Sequence, residues 1–155
     1  MSLWSDLKTT AQDLLQRKAT DSSTRQDSLG DRGEREAERF LKKRGLRIVA
    51  RSYRNHIGEI DLVAVDQKSK PRTIVFIEVK TRKSDFKGQP VEAVDEKKQR
   101  QVSNTAMVYL KQHDLLECRF RFDIVGIIWP EETARPEILH YVNAFAVVGT
   151  GQMFN

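Results

Sequence analysis

The sequence predicts an α/β domain: a mixed central sheet of about five strands flanked by helices. Three observations predict it. Apolar residues recur at helical spacing around residues 31–45 and again over 91–112. Five segments rich in β-branched and aromatic residues lie between turn signals. Their order is helix, three strands, helix, strand, strand, an order that gives one mixed sheet with helices against it.

The elements follow in turn. Leu3, Trp4, Leu7, Ala11, Leu14 and Leu15 repeat at helical spacing, and Lys18–Ser28 is polar and rich in Ser and Thr. Residues 1–29 therefore read as a helical or disordered extension, 30–150 as the domain and 151–155 as a tail. Near Gly30 the pattern changes. Asp31 with Glu34 three residues on has the form of a capping box. Ala37, Phe40 and Leu41 make an inward stripe, and Gly45 suits the helix end. Leu46–Tyr53 and Glu59–Val65 read as strands, Asp66–Arg72 as a polar turn, and Thr73–Thr81 as a central strand, apolar on both faces over Ile74–Ile77. Ser84–Pro90 reads as a loop. A long helix is expected over Val91–Gln112, with Val94, Val102, Ala106, Tyr109 and Leu110 at core spacing. Arg119–Trp129 and Ile138–Val147 are the last two strands.

Composition narrows the function classes. Among 155 residues, 39% are hydrophobic and 32% charged, enough for one core under a highly charged surface. With 8 Gly, 4 Pro and no short period, fibrous and low-complexity readings fail. No apolar run approaches the ~20 residues of a membrane span, and the basic-then-apolar pattern of a signal peptide is missing. Cys118 is the one cysteine, so neither an internal disulfide nor a zinc cluster is expected, and a reducing cytoplasmic setting follows. The net charge is +5. Residues 1–77 carry 16 basic and 11 acidic side chains, whereas 78–155 carry 11 of each. The densest stretch, 32–54, suits a polyanion such as nucleic acid, or a solvated helix face with strand-edge cations.

The chemistry concentrates in two motifs, Gly58-Glu59-Ile60-Asp61 and Ile77-Glu78-Val79-Lys80. Residues two apart on a strand share a face, so Glu78 and Lys80 point one way, as do Glu59 and Asp61. Register decides whether the faces coincide. If Asp66 opposes Thr73, then Val65 meets Ile74, Val63 meets Phe76, Asp61 meets Glu78 and Glu59 meets Lys80. Every pair then matches apolar with apolar or charge with charge, and a one-residue slip would undo that. Two carboxylates ~5 Å apart at Cβ repel one another. A proton, Lys80 or a divalent cation must compensate. Mg²⁺ or Mn²⁺ would do so through oxygen ligands and would serve phosphodiester hydrolysis, with Lys80 orienting or deprotonating water or stabilising developing charge. An exposed, salt-bridged strand edge is the plain alternative. Glu34, on the inward stripe of the first helix, is either a further metal ligand or only a cap.

Gly33-Glu34, Gly58-Glu59-Ile60-Asp61-Leu62-Val63 and Val75-Phe76-Ile77-Glu78-Val79-Lys80-Thr81-Arg82 resemble the YraN-type bacterial proteins. So do Val91-Glu92-Ala93-Val94, Arg121-Phe122-Asp123 and Asn143-Ala144-Phe145, and the resemblance spans roughly residues 30–147. That family is classed as uncharacterised and resembles restriction-endonuclease-like proteins, especially archaeal Holliday-junction resolvases. The resemblance implies a PD-(D/E)xK site in which Asp61 matches the first acid, Glu78 the second and Lys80 the lysine. Glu34 would match the N-terminal helix glutamate of the resolvases. One departure is Ile60, where the motif has Pro.

The resulting expectation is a metal-dependent endonuclease cleaving DNA at branched or damaged structures, for which a homodimer would fit the need to cut two strands. The rival expectations are a non-catalytic nucleic-acid-binding module and an interaction subunit on the same fold. Arg82, Lys83 and Lys87 could grip phosphates or simply sit in an exposed loop. Lys97 and Lys98 lie on the long helix, where Lys98 either snorkels or reaches the site. Asp123 reads as one half of a structural ion pair with a neighbouring Arg. His56, His113 and His140 read as surface or core residues, with only His56 near the acids. Cys118 reads as inert.

Overall fold

The architecture was read from a computed structural model that describes residues 27–84, 88–131 and 135–149. The expected extension over 1–29 falls almost wholly outside these, and the tail at 151–155 entirely so. The first helix, α1, spans Leu29–Lys43. Its cap is Ser28, not Asp31. The Ser28 hydroxyl accepts the Asp31 N–H at 3.1 Å, and the Asp31 carboxylate accepts the Ser28 N–H at 3.1 Å. A Ser with an acid three residues on satisfies the same rule as Asp31 with Glu34, so the helix starts sooner than expected. Gly45 ends the turn at φ +92°, a conformation that favours glycine.

Five strands follow: β1 Leu46–Arg54, β2 Glu59–Asp66, β3 Thr73–Arg82, β4 Arg119–Ile128 and β5 Glu137–Phe145. They lie side by side in chain order, with β3 and β4 parallel and the other pairs antiparallel. The parallel step needs a crossover, which α2 supplies over Glu96–Gln112. The expected helix over Val91–Gln112 is therefore two pieces. A 3-10 turn spans Pro90–Ala93, Val94 leaves helical geometry, and Asp95 caps α2 by accepting the Lys98 N–H at 2.9 Å. The turn is wedged against the sheet. A Cβ at Gly126 would stand 2.5 Å from Pro90, so only glycine on β4 admits it.

The expected register of β2 on β3 is present from Asp66↔Thr73 to Leu62↔Ile77. Alternation then sorts the two faces. Leu62, Ala64, Val75, Ile77, Val125 and Ile127 pack with Ala37 and Leu41 of α1. Val63, Val65, Ile74, Phe76, Phe122 and Ile124 pack with Val102, Ala106, Tyr109 and Leu110 of α2. On that second face Phe76 is wholly buried, with the Tyr109 and Phe122 rings 5.7 and 5.8 Å away. Helix α1 is tied to β1 by a bidentate ion pair between Glu38 and Arg51. At its start Gly33 lies so close to β3 that a Cβ would fall 1.8 Å from the Thr81 hydroxyl.

The last strand ends at Phe145, two residues short of the expectation. Its pairing with β4 shifts between Phe122 and Ile124, where Asn143 takes φ +52°. Phe145 then stacks on Phe122, and Val148 N–H turns away to the Ser103 hydroxyl of α2 at 3.1 Å.

Candidate active site

Beyond Leu62↔Ile77 the β2–β3 ladder is interrupted. Instead of facing Glu78 across a regular pair, Asp61 reaches over and accepts the Val79 N–H at 2.8 Å through Oδ2. The side chain replaces a ladder carbonyl, so β3 stays satisfied on that side while the two strands part. Glu59, expected opposite Lys80, pairs instead with Arg54 of β1 at 2.9 Å. The notch left between β2 and β3 contains the two acids.

Glu78 follows Phe76 on the α2 face and is 3% exposed. Two ammonium groups flank it. Lys80 of β3 stands 3.8 Å and Lys98 of α2 stands 3.7 Å from Oε2. Oε1 is buried and has no hydrogen-bond partner. Burial and then the Asp61 charge push the Glu78 carboxyl up to about 7, and both lysines act against that without cancelling it. Asp61 is likewise held above the ordinary range, by burial first, against the Val79 hydrogen bond and the same lysines. Ion pairs alone would predict lowered values. Burial outweighs them, because the ionised carboxyls lose water that the two lysines do not replace.

The structure thus brings Asp61, Glu78, Lys80 and Lys98 together. Glu34 is half-buried on α1, the helix that covers the opposite face of the sheet. Among the described residues no three His, Cys, Asp or Glu side chains gather as a metal-binding group. Arg82 donates to the Gly88 carbonyl at 3.0 Å. Lys83 and Lys97 are exposed, and Lys87 lies outside the described residues. His56 is exposed on the β1–β2 loop. His113 packs on Tyr109 at 4.3 Å, with burial lowering its pKa. Cys118 is a half-buried free thiol.

Asp123 takes part in the structural pairing expected of it, and more. It is fully buried, pairs with Arg121 at 2.9 Å and with the buried His140 ring at 2.8 Å, and accepts the Asn143 N–H at 2.9 Å. Burial alone would raise its pKa, but these hydrogen bonds hold it below the ordinary carboxylate range. Arg121 also bridges to Asp66 at 2.9 Å. The dense basic stretch over 32–54 is largely engaged within the fold as well. Arg35 pairs with Asp27, Arg39 with Glu36, Arg51 and Lys42 with Glu38, and Arg44 lies over the Phe40 ring. Its charge count therefore overstates the field offered to a partner.

Sequence reasoning missed a set of polar residues beside the acids. Asn55 Oδ1 accepts the Ile57 N–H at 2.9 Å, and Asn55 Nδ2 reaches the Thr105 carbonyl at 3.3 Å. Gln101 donates to the Ile57 carbonyl at 3.2 Å. Gly58 meets Gln101 so closely that a Cβ would stand 2.9 Å from it. The glycine of the Gly-Glu-Ile-Asp motif thus lets the β1–β2 loop dock on α2. The Asn-x-x-Gly spacing was the available signal.

Residues 33–127 match the Uncharacterised protein family UPF0102, and this stretch includes Glu34, Asp61, Glu78, Lys80 and Lys98. The chain belongs to this family. That agrees with the YraN-type resemblance read from the motifs. A UPF0102 protein of Rhodopirellula baltica is 42% identical over 127 residues, covering 81% of this chain and 75% of its own. UPF0102 proteins of Trichlorobacter lovleyi and Geotalea uraniireducens are 40% and 44% identical over 118 residues each. Those alignments cover 76% of this chain and 90% and 89% of the relatives. Among the described residues no helix is long and apolar enough to cross a membrane.

Proposed function

We propose that this UPF0102 protein is a metal-dependent endonuclease of the PD-(D/E)xK type, hydrolysing phosphodiester bonds of DNA at branched structures. The observation that carries the reading is Glu78. It is a buried carboxyl beside a second acid, under two lysines, with one oxygen left unpartnered. A buried charged cluster is costly against an apolar replacement, and perturbed carboxyls in a notch are the mark of a working site.

The donors fit a hard divalent cation, because Mg²⁺ or Mn²⁺ takes oxygen ligands and Mg²⁺ is commonly held by one or two carboxylates. Asp61 and Glu78 would hold it, and Glu34 is left out of the set. When bound, such an ion supplies Lewis-acid neutralisation of phosphate charge. The protein's own groups do the rest. Asp61 holds the notch open through Val79. Lys80 orients the attacking water or stabilises the negative charge that builds on the phosphate. Lys98, from the other side, binds a phosphate oxygen and fixes the strand against Glu78.

The test is cleavage of four-way junction, flap, nicked, single-stranded and duplex DNA, with RNA alongside, in Mg²⁺ and in Mn²⁺. Wild-type cleavage that disappears in both Glu78→Ala and Lys80→Ala is expected. Failure on every substrate with either ion refutes the reading. A second reading is a nucleic-acid-binding module or interaction subunit without catalysis. The two lysines that already stand against Glu78 within the fold favour it, since a structural ion-pair cluster would look the same. It predicts salt-dependent DNA binding that is indifferent to metal and to Glu78→Ala.

A further inference from the structure

Next to the acids, a groove of about 470 Å³ runs between the β1–β2 loop and the outer face of α2. That volume is in the range of sites that take small ligands, ~300–1,000 Å³. Its wall is largely carbon, from Ile57 and the stems of Lys97, Arg100 and Gln101, with Asn104 also lining it. Lys97, Lys98 and Arg100 stand along it, Arg100 paired with the exposed Glu96 at 3.2 Å, and the one lining carboxylate, Asp95, already accepts the Lys98 N–H. The groove is preformed, because Asn55 and Gln101 pin the loop to the helix. Lys98 links it to the acids, since it lines the groove and stands 3.7 Å from Glu78.

The geometry points to a site for one unpaired nucleotide, whose base enters the groove while its phosphates lie along Lys97, Lys98 and Arg100. The inference rests on the nuclease reading only for what lies beyond the groove. A flat base has two apolar faces and suits a carbon-lined cleft, whereas the phosphates on either side of it need the cations at the rim. A duplex keeps its bases stacked inside and cannot place one there unless it is flipped or unpaired. A strand seated in this way runs from Lys98 directly to Glu78. The preferred substrate would then have an unpaired nucleotide next to the bond that is cut.

The experiment is equilibrium binding by fluorescence anisotropy, with the full chain in EDTA so that no cleavage intervenes. Three labelled probes of equal length are compared: a mixed-sequence single strand, a strand of abasic sites and a duplex. The single strand should bind several-fold more tightly than the abasic strand, through the apolar area a base buries against Ile57 and the neighbouring side-chain stems. Ile57→Ala should abolish that difference. Lys97→Glu, at an exposed helix position that threatens no packing, should weaken both single strands alike and steepen no preference. Equal affinity for all three probes, or an Ile57→Ala variant that is folded and keeps the base-dependent gain, overturns the inference. The nuclease reading fails separately. Strand preference without cleavage on any substrate refutes catalysis and leaves the groove assigned, whereas cleavage without strand preference refutes the groove alone.

Discussion

Replacing Glu78 by Gln should make the metal-free protein more stable at alkaline pH, which is the reverse of what most buried substitutions do. The Glu78 carboxyl is raised from 4.5 to about 7 in the folded chain. An acid whose folded pKa lies above its unfolded value costs nothing below pH 4.5. The cost grows between 4.5 and about 7 and is complete above that. At about 1.4 kcal/mol for each pH unit of that interval, the ionised form costs about 3 kcal/mol. Glutamine has the same shape and no charge to desolvate. The attraction of Lys80 and Lys98 is already contained in that rise, so a gain of about 3 kcal/mol near pH 8 is the working figure. The assay is urea unfolding in EDTA at about pH 4.5 and about pH 8, wild type against Glu78→Gln. The variant should nearly match wild type in acid and move to a higher midpoint in base. A variant equally destabilised at both pH values would falsify the argument that burial dominates this site.

Four further outcomes follow from the same geometry. Mg²⁺ should raise the melting temperature of wild type but not of Glu78→Ala in a thermal-shift titration, by about 2.7 kcal/mol of stabilisation at a hundred times Kd. Asp123→Ala should cost about 3 kcal/mol in urea unfolding, because it leaves the His140 ring and the Asn143 N–H without their buried acceptor and Arg121 with Asp66 alone. The lowered pKa of Asp123 gives a contribution that is present above pH 3.8 and lost as pH falls through the folded value, so Asp123→Asn should flatten the acid limb of the stability curve. Gly33→Ala should cost about 1–3 kcal/mol by thermal unfolding, since its Cβ overlaps the Thr81 side chain and α1 must shift.

Much of the fold was legible because the strands of this chain are regular where they are buried. Leu62–Val65 and Ile74–Ile77 are apolar on both faces and mark the buried centre, while the polar turn from Asp66 to Thr73 and the flanking charges chose the register. Legibility ended where a side chain took over a backbone role. Nothing in the alternation of Glu59 and Asp61 signals that Asp61 will satisfy Val79 and so stop the ladder. The same holds for the helix expected from Val91. Core spacing continues through Val94, but Asp95 competes for the backbone and starts a new helix there. The candidate site was legible as residue types in the correct order, and Lys98 was within reach of it by helix phase. Glu34 was not separable by phase alone, because the same stripe that faces the sheet faces the side away from Glu78. Charge density over 32–54 misled for a different reason: a count of arginines does not show which carboxylates already hold them.

The kink in β5 has a consequence for how this chain behaves in a crowd. An outermost strand ordinarily invites another to zip on, and a bulge is one way of refusing. Here the refusal is fastened inward, since the Asn143 amide that makes the kink donates to the buried Asp123 carboxylate. The guard on the rim therefore holds only while that carboxylate keeps its charge. Acid, or Asp123→Asn, weakens the fastening and lets the rim straighten beside Val142, which is already 54% exposed. Self-association of this chain should accordingly begin only in strong acid, as pH falls below the ordinary carboxylate range and Asp123 takes up a proton.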